Sequence, residues 1–582
     1  MSTNQKATDA TAYWGHLIDK RLSDPELTQD SVRLELAALE MLVAKARNLH
    51  LGVGRLPTEV LGEIFMIVRD IWPPSRFVDV GEILRFRSGW MAIAHVCSSW
   101  RSVASGTSGL WAKHDDVLNL HPSYLPAILS RSGDCLFDIS FDFLAQIEPH
   151  PVETSTHKCD NILVRACYWL SPPVLSKTER LSMNGFSDDL YATWVNLAAY
   201  RHSLRKVDLS TKRNPSHVLP APLAGSSDVT HLTLAGFIVP WNSPIFSTNL
   251  TSLRLTVNYE DLERRNMLPS CHELQTALSG LRSLRVLELY DVVPHGPIQE
   301  EIHPPETLRL FIFKLGQFAP IKFAQSLRLL VRLKIPEACA RHVLLCEEAE
   351  DVVLSDSESD YLKIYVNMFL ASSLSAAPGL SFGLQTVCIT TEERARRRWL
   401  YTCSYKAKEP DNEPLYDRIH LLTSPRHADL HNMARFRAIG LDIRDFIDML
   451  NMDELRIATF TYSSCVAITY TNRWAEFTVT APQLRVIGVF LSECLPLLHL
   501  LGNTVRGRLT SLPLLERIIF NGVDDLHPSA ESQFVSELAA LTGLLRVRKM
   551  HGTPLQEIVV SKSAETWGVW DVLKGEVEIT FM

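Results

Sequence analysis

The alternation of apolar and polar positions divides the chain into a helical beginning and a long mixed remainder. From Asp30 to His50, Val32, Leu36, Leu39, Val43 and Ala46 recur at intervals of four, three, four and three, which predicts one helix with a single apolar face. Asp30 or Ser31 can cap its start, and Lys45 and Arg47 suit its C-terminal end. The pattern spans about three heptads, the minimum for a free-standing coiled coil. This favours a helix packed on its own neighbour over a dimerisation zipper. Residues 1–29 are polar and mixed and are expected to be loosely ordered.

A second helix is predicted from Pro57. Val60, Leu61, Ile64, Phe65 and Val68 make one stripe, and Met66 and Ile67 carry apolar surface beyond it, so the helix needs cover on more than one side. Pro57 suits a first helical turn and Glu59 the N-terminal charge. Pro73 and Pro74 break the pattern, and a loop is expected through about Ser88. Ile93, Val96, Cys97, Trp100 and Ala104 then resume helical spacing, Ser105 and Gly106 stop it, and Leu110 and Trp111 begin a third short element. So small a region, loaded with this much apolar surface, buries only about 60% of what its unfolded chain exposes. The remainder implies a partner.

After Gly133 the period becomes two. Phe137, Ile139, Phe141 and Phe143 alternate with polar residues as in a half-buried strand. A short apolar-x-x-apolar-x-apolar unit then recurs: Leu204-Val207-Leu209, Val229-Leu232-Leu234, Leu250-Leu253-Leu255, Leu284-Leu287-Leu289 and Leu308-Phe311-Phe313. Weaker copies start at Leu330, Leu384, Leu484, Leu515 and Leu555. The early starts (204, 229, 250, 284, 308) are 25, 21, 34 and 24 residues apart, near the leucine-rich-repeat period of about 20–29. A solenoid in which each turn buries its leucines against the next fits that spacing. The asparagine expected three residues after the last leucine is mostly missing; only Asn258 sits there. Glu576 to Phe581 alternates cleanly and reads as an edge or capping strand. The expected fold class is therefore α/β (α+β): a helical segment over 55–115 after a lead-in helix over 30–52, then an irregular leucine-rich-repeat-like solenoid over 116–582.

Composition narrows the function more than the fold. With 46% hydrophobic and 21% charged residues over 582 positions, the chain has the balance of a soluble globular protein. A net charge of −8 over that length argues against a dedicated nucleic-acid binder. No signal-peptide core and no uninterrupted apolar run of spanning length is found; Leu484 to Gly502 comes nearest but holds Arg485, Glu493 and Pro496, and reads as core. The 11 cysteines form no CxxC pair. A reducing compartment, cytoplasm or nucleus, is expected.

Enzyme constellations are missing from the sequence. Gly52 to Pro57 has two glycines without a third, and neither a phosphate-binding loop, a GxSxG nor an HExxH occurs. His157 with Cys159 and His342 with Cys346 have ligand-like spacing but lack further ligands. No metal or cofactor is expected, and no enzyme. The acidic stretch Cys346 to Leu362, with Ser355, Ser357 and Ser359, reads as a solvated loop, its sharper alternative being phosphorylation. Glu392 to Trp399 reads as a solvated helix with internal ion pairs.

The motifs over 56–111 resemble an F-box. That family opens with Leu-Pro and an acidic-aliphatic helix, matched here by Leu56, Pro57, Glu59, Val60, Leu61, Ile64 and Phe65. It continues with Val-Cys-x-x-Trp-Arg and ends near Leu-Trp, matched by Val96, Cys97, Trp100, Arg101, Leu110 and Trp111. The form, with a lead-in helix before it and Leu125 to Phe141 after it, is similar to F-box proteins abundant in mushroom-forming fungi. The resemblance implies a substrate receptor of a Skp–cullin–F-box ubiquitin ligase. Its box would bind the Skp-family adaptor, and through it a cullin, by the matched residues other than Glu59, while the repeats hold a protein target. One departure is the long stretch between Val68 and Trp90. It supports the alternative, a non-catalytic repeat scaffold that binds no adaptor.

Overall fold

A computed structural model describes residues 3–24, 28–50, 56–78, 84–143, 162–186, 191–192, 203–211, 217–257, 268–315, 320–336, 339–345, 356–374, 379–382, 386–390, 434–438, 443–521 and 528–581. The chain is mixed α/β and divides into two compact units. The first comprises Met1–Ser182 with Tyr200–Ser203, and the second Met183–Ala199 with Leu204–Met582.

The first unit opens with two helices, Thr3–Leu22 and Gln29–His50. The second of these is the expected one. The first corrects the reading of residues 1–29 as loosely ordered: Tyr13, Trp14, Leu17 and Ile18 fall three and four apart, and Lys20 and Arg21 close the helix on its negative end. A cluster of short helices follows: Thr58–Ile71, the 3₁₀ turn Gly89–His95, Ser98–Gly106 and Ser108–Ala112. The unit runs on past the expected boundary at residue 115. Lys113–His114 pairs in parallel with Phe137–Asp142, and Arg165 donates a 2.7 Å hydrogen bond to the Leu118 carbonyl. The alternating strand is as expected, with Phe137, Ile139 and Phe141 buried and their neighbours half-buried.

The second unit is a long ladder of strands. Lys206–Thr211, His231–Ala235, Ser252–Thr256, Val286–Tyr290, Leu310–Leu315, Ala340–Leu345 and Ala434–Ala438 pair in that order, each parallel to the next. Thr386–Thr390 and Gly379–Phe382 continue it as two antiparallel steps. From Gly379–Phe382 the order is parallel again through Ile457–Phe460, Val486–Phe490, Arg517–Asn521, Glu557–Val560 and Glu578–Phe581. No pairing among the described residues joins the first strand of this ladder to the last. Nine α-helices among those described lie between strands along the sequence, from Cys271–Gly280 to Val569–Leu573, as parallel connections require.

The recurring apolar unit accounts for the register. Val207, Leu232, Leu253, Leu287 and Phe311 stand opposite one another on successive strands, and Leu209, Leu234, Leu255, Leu289 and Phe313 do the same two residues on. The first residues of these units, Leu204, Val229, Leu250, Leu284 and Leu308, are buried just before each strand. A one-residue slip would turn every leucine to the wrong face, so the rows hold the register. Two copies behave otherwise. Leu330 lies in the Pro320–Arg332 helix; Leu384 lies outside the described residues, and Val387 and Ile389 of its copy lie in one of the antiparallel strands.

The opposite face of the ladder changes along its length. In the first three strands it carries half-buried polar residues such as Asp208, Thr233 and Arg254. Further on it closes: Leu310, Ile312 and Ala340 form one buried cluster there, and Ile457, Val486, Ile519 and Val559 another. The strand Val486–Phe490 is buried at every position, which places the apolar run from Leu484 in a protein core. Among the described residues no helix is long and apolar enough to cross a membrane.

Strand spacing in this closed part depends on one missing side chain. A Cβ on Gly488 would stand 2.9 Å from Cγ2 of Thr459, its partner across the ladder. Thr459 is stiff at χ1 and cannot swing aside cheaply. Gly488→Ala should therefore lower stability by about 1–3 kcal/mol, and Thr459→Ala in the same chain should recover part of the loss. Denaturant titration checks this; an unchanged midpoint for Gly488→Ala would contradict the packing.

Candidate functional site

The Thr58–Ile71 helix carries two apolar faces with different fates. Leu61 and Phe65 point inward and are buried, and a Cβ on Gly62 between them would stand in ordinary contact with Oγ1 of Thr107, at 3.5 Å. Val60, Ile64, Ile67 and Ile71, spaced four, three and four, lie on the other side and are exposed. Ile67 keeps 61% and Ile71 74% of its surface in solvent. Trp72, just past the helix end, and Val96, at 60%, are also exposed.

The inner face is closed by the tryptophan-rich segment. Phe65 meets Trp100 with ring centroids 5.2 Å apart, and Trp90 meets Trp111 edge-on at 4.9 Å. Trp111 is fully enclosed: its indole N–H donates 2.6 Å to the Ala104 carbonyl, and the Arg131 guanidinium lies 4.5 Å from its ring centroid. The spacing Cys-x-x-Trp-Arg has a local cause. Cys97 is extended and caps the Ser98–Gly106 helix, its sulfur accepting the Trp100 N–H at 3.4 Å. Arg101 then reaches back to the Ala94 carbonyl at 2.9 Å and ties the 3₁₀ turn to the helix. The single helix expected from Gly89 to Ala104 is thus two elements with a break at Val96 and Cys97, and the break turns Val96 outward.

Of the residues singled out in the sequence, Leu61, Phe65, Leu110 and Trp111 are core. Leu56, Cys97 and Trp100 are half-buried, and Pro57, Val60, Ile64, Val96 and Arg101 are exposed. Arg69 was not foreseen. The stripe was expected to continue through Val68, yet Arg69 is buried, donating to the Gly109 carbonyl at 3.2 Å and pairing with Asp70 at 2.9 Å. Asp70 also meets Lys113 at 3.4 Å, so the first and last short helices are linked by charge as well as packing.

The long connection after Ile71 folds on itself. Ser75–Val78 and Leu84–Arg87 form an antiparallel hairpin instead of the expected loop. Its ends are tied together: the Trp90 N–H donates to the Trp72 carbonyl at 2.8 Å. The added length therefore leaves and returns at one point. Phe86 of the hairpin packs edge-on against His121 at 5.2 Å, within the same unit.

Gly89 makes this closure possible. Its φ is +54°, and a Cβ there would lie 2.6 Å from the backbone of Pro73. Gly89→Ala should destabilise the first unit by more than about 1 kcal/mol, with red-shifted tryptophan emission as Trp90 is wetted. Unchanged emission and an unchanged midpoint would rule out this role.

Two titratable groups sit beneath the short helices. His114 is enclosed against Trp169 at 5.4 Å and bonded to the Trp111 carbonyl at 2.8 Å. Burial lowers its pKa from 6.5 to about 4, the carbonyl bond opposing and the Arg69 cation reinforcing. Asp116, which accepts the Leu118 N–H at 3.0 Å, is pushed by burial from 3.8 up to about 6, against the pull of that bond and of Arg76. The two effects on stability have opposite signs. The folded chain keeps His114 neutral, so that contribution is complete above pH 6.5 and is lost as pH falls towards 4. It keeps Asp116 protonated, so that contribution is present below pH 3.8 and is lost as pH rises through about 6. The pair largely cancels across the window. Asp116→Asn retains the oxygen acceptor and removes one half. Relative to the parent, it should gain about 1–3 kcal/mol between pH 4 and pH 6. Denaturant titrations at the two pH values measure the difference; an equal offset at both would contradict the assignment.

Elsewhere the candidate chemistry is sparse. Among the described residues no group of three or more His, Cys, Asp or Glu side chains could hold a metal ion. His342 is buried on the Ala340–Leu345 strand; Cys346, His157, Cys159, Asn258 and residues 392–399 lie outside the described residues. The acidic stretch ending at Leu362, expected as a solvated loop, enters a helix at Asp356, and Glu358 is buried; Ser355 lies outside the described residues. A groove of about 570 Å³ runs along the Val535–Met550 helix, and Glu531 is the acid that lines it. Its carboxylate is engaged by the N–H groups of Gly568 and Val569 at 3.1 and 2.8 Å. Compared with known proteins, the chain matches no protein-family model and no curated protein.

Proposed function

We propose that this chain is the substrate receptor of a Skp–cullin–F-box ubiquitin ligase, with the short helices over 56–111 as the box. It carries out no chemistry of its own: the box binds a Skp-family adaptor, and the second unit binds a protein target. The observation that carries this reading is the exposed stripe Val60, Ile64, Ile67 and Ile71, extended by Trp72. The helix bearing it has already filled its inner side with Leu61 and Phe65, so this chain's core has no use for the outer side. A contiguous apolar surface of this kind marks a protein interface.

The adaptor-binding set shifts accordingly. Val60, Ile64 and Val96 remain in it, Ile67, Ile71 and Trp72 join it, and Leu61, Phe65, Leu110 and Trp111 act through the core that holds them. The scaffold alternative rested on the long connection over 69–89. The closed hairpin removes that objection, since the tie from Trp90 to Trp72 keeps its two ends adjacent.

The second unit is read here as an irregular leucine-rich-repeat solenoid. The in-register leucine rows and their spacing support this; the two antiparallel steps at Gly379–Thr390 depart from it. The target surface would then lie on the early strands, where Asp208, Thr233 and Arg254 remain half-open, since the same face is closed from Leu310 onward.

The test separates the two faces of one helix. Ile64→Glu with Ile67→Glu should leave the circular dichroism and unfolding midpoint unchanged and weaken adaptor binding at least about 100-fold. Each lost side chain accounts for about 1.5–3 kcal/mol. Leu61→Ala should instead lower the midpoint, by about 2–5 kcal/mol. Binding at full strength by the double glutamate variant in a titration with purified adaptor would overturn the reading.

A further inference from the structure

The Gln29–His50 helix is underused by the first unit. The Thr3–Leu22 helix reaches it through Arg21, whose guanidinium holds both oxygens of Glu35 at 3.0 and 2.7 Å. That clasp lies beside the apolar seam and leaves it partly open: Leu36 remains 45% and Val43 43% exposed, Ala46 is exposed as well, and Val32 and Leu39 are half-buried. A helix of this length in water owes its stability mostly to packing of its apolar face. Leu34 and Met41 lie on the other side and take no part.

We infer that this seam pairs antiparallel with the same seam of a second copy of the chain. The choice of occupant follows from the order of residues along it. In an antiparallel pair with Leu36 facing Leu39 of the second copy, Val32 faces Val43, and the two-fold axis repeats both contacts. Four successive layers are then apolar on both sides, with no polar residue in the seam. The flanking charges favour this register and direction. Arg33 of one copy comes within two residues' rise, about 3 Å, of Glu40 of the other, and the symmetry makes that pair twice. Arg33 and Glu40 are both exposed. A parallel pair in the same heptad frame would instead bring Glu35 towards Glu40 of its partner, a like-charge contact.

The pairing is independent of the adaptor surface: it uses residues 32–43, and the stripe begins at Val60. The dimer would carry two boxes and two ladders.

Sedimentation equilibrium of the full chain, without adaptor, tests it. The parent should be dimeric at micromolar concentration. Arg33→Glu and Glu40→Arg should each raise the dimer dissociation constant at least about tenfold, because each turns two attractive pairs repulsive. The exchange Arg33→Glu with Glu40→Arg should restore the parent value. Direction is read by oxidising a mixture of Leu36→Cys and Leu39→Cys chains and identifying the linked peptide by mass spectrometry. A link from 36 to 39 is expected. A monomeric parent, a dimer indifferent to both single charge variants, or a dominant 36-to-36 link would each overturn the inference. Circular dichroism of every variant separates loss of pairing from loss of the helix.

Discussion

A fourteen-residue helix with apolar side chains on two adjoining faces cannot satisfy all of them within one small helical cluster. This constraint organises the first unit. The side bearing Leu61 and Phe65 closes on Trp90, Trp100 and Trp111; the Trp111 indole N–H is bonded to the Ala104 carbonyl, and the Trp100 backbone N–H to the Cys97 sulfur. With that side saturated, Ile64, Ile67 and Ile71 are left over. The tryptophan-rich segment therefore carries so much apolar area because it fills one face of a helix whose other face stays exposed.

The second unit solves the opposite problem. Each of its strands is short, and none can bury its leucines alone. In-register stacking makes each row of leucines the cover for the next, as the succession Val207, Leu232, Leu253, Leu287 and Phe311 illustrates. Where the second face also becomes apolar, at Leu310 and again from Ile457, the strands are buried on both sides, as parallel sheets usually are. The polar early strands stand apart from this, and the proposed target surface is confined to them.

Much of this was legible in the sequence because it rests on periodicity. The Gln29–His50 and Thr58–Ile71 helices, the alternating strand at Phe137 and the register rows all follow from apolar spacing. What was not legible rests on features without a period. The break at Cys97 depends on one extended residue inside a stretch whose spacing reads as unbroken helix. Arg69 is buried because its guanidinium reaches a carbonyl 40 residues away, at Gly109, which local pattern cannot show. The hairpin after Pro74 depends on a positive φ at Gly89 and a hydrogen bond from Trp90 to Trp72. The division of the Thr58–Ile71 stripe into inner and outer residues was visible in principle. Val60, Ile64, Ile67 and Ile71 share one spacing and Leu61 and Phe65 another, but spacing alone does not say which set faces inward.

The account turns on whether that outer set is occupied by another polypeptide. Hydroxyl-radical footprinting of the full chain, alone and with purified Skp-family adaptor, reads each side chain directly. Ile64, Ile67, Ile71 and Trp72 should label readily in the free chain and lose most of that labelling in the complex, while Leu61 and Phe65 stay protected in both. Equal labelling of the outer residues with and without adaptor, under conditions where the two proteins co-elute, would contradict the claim that this face is the docking surface.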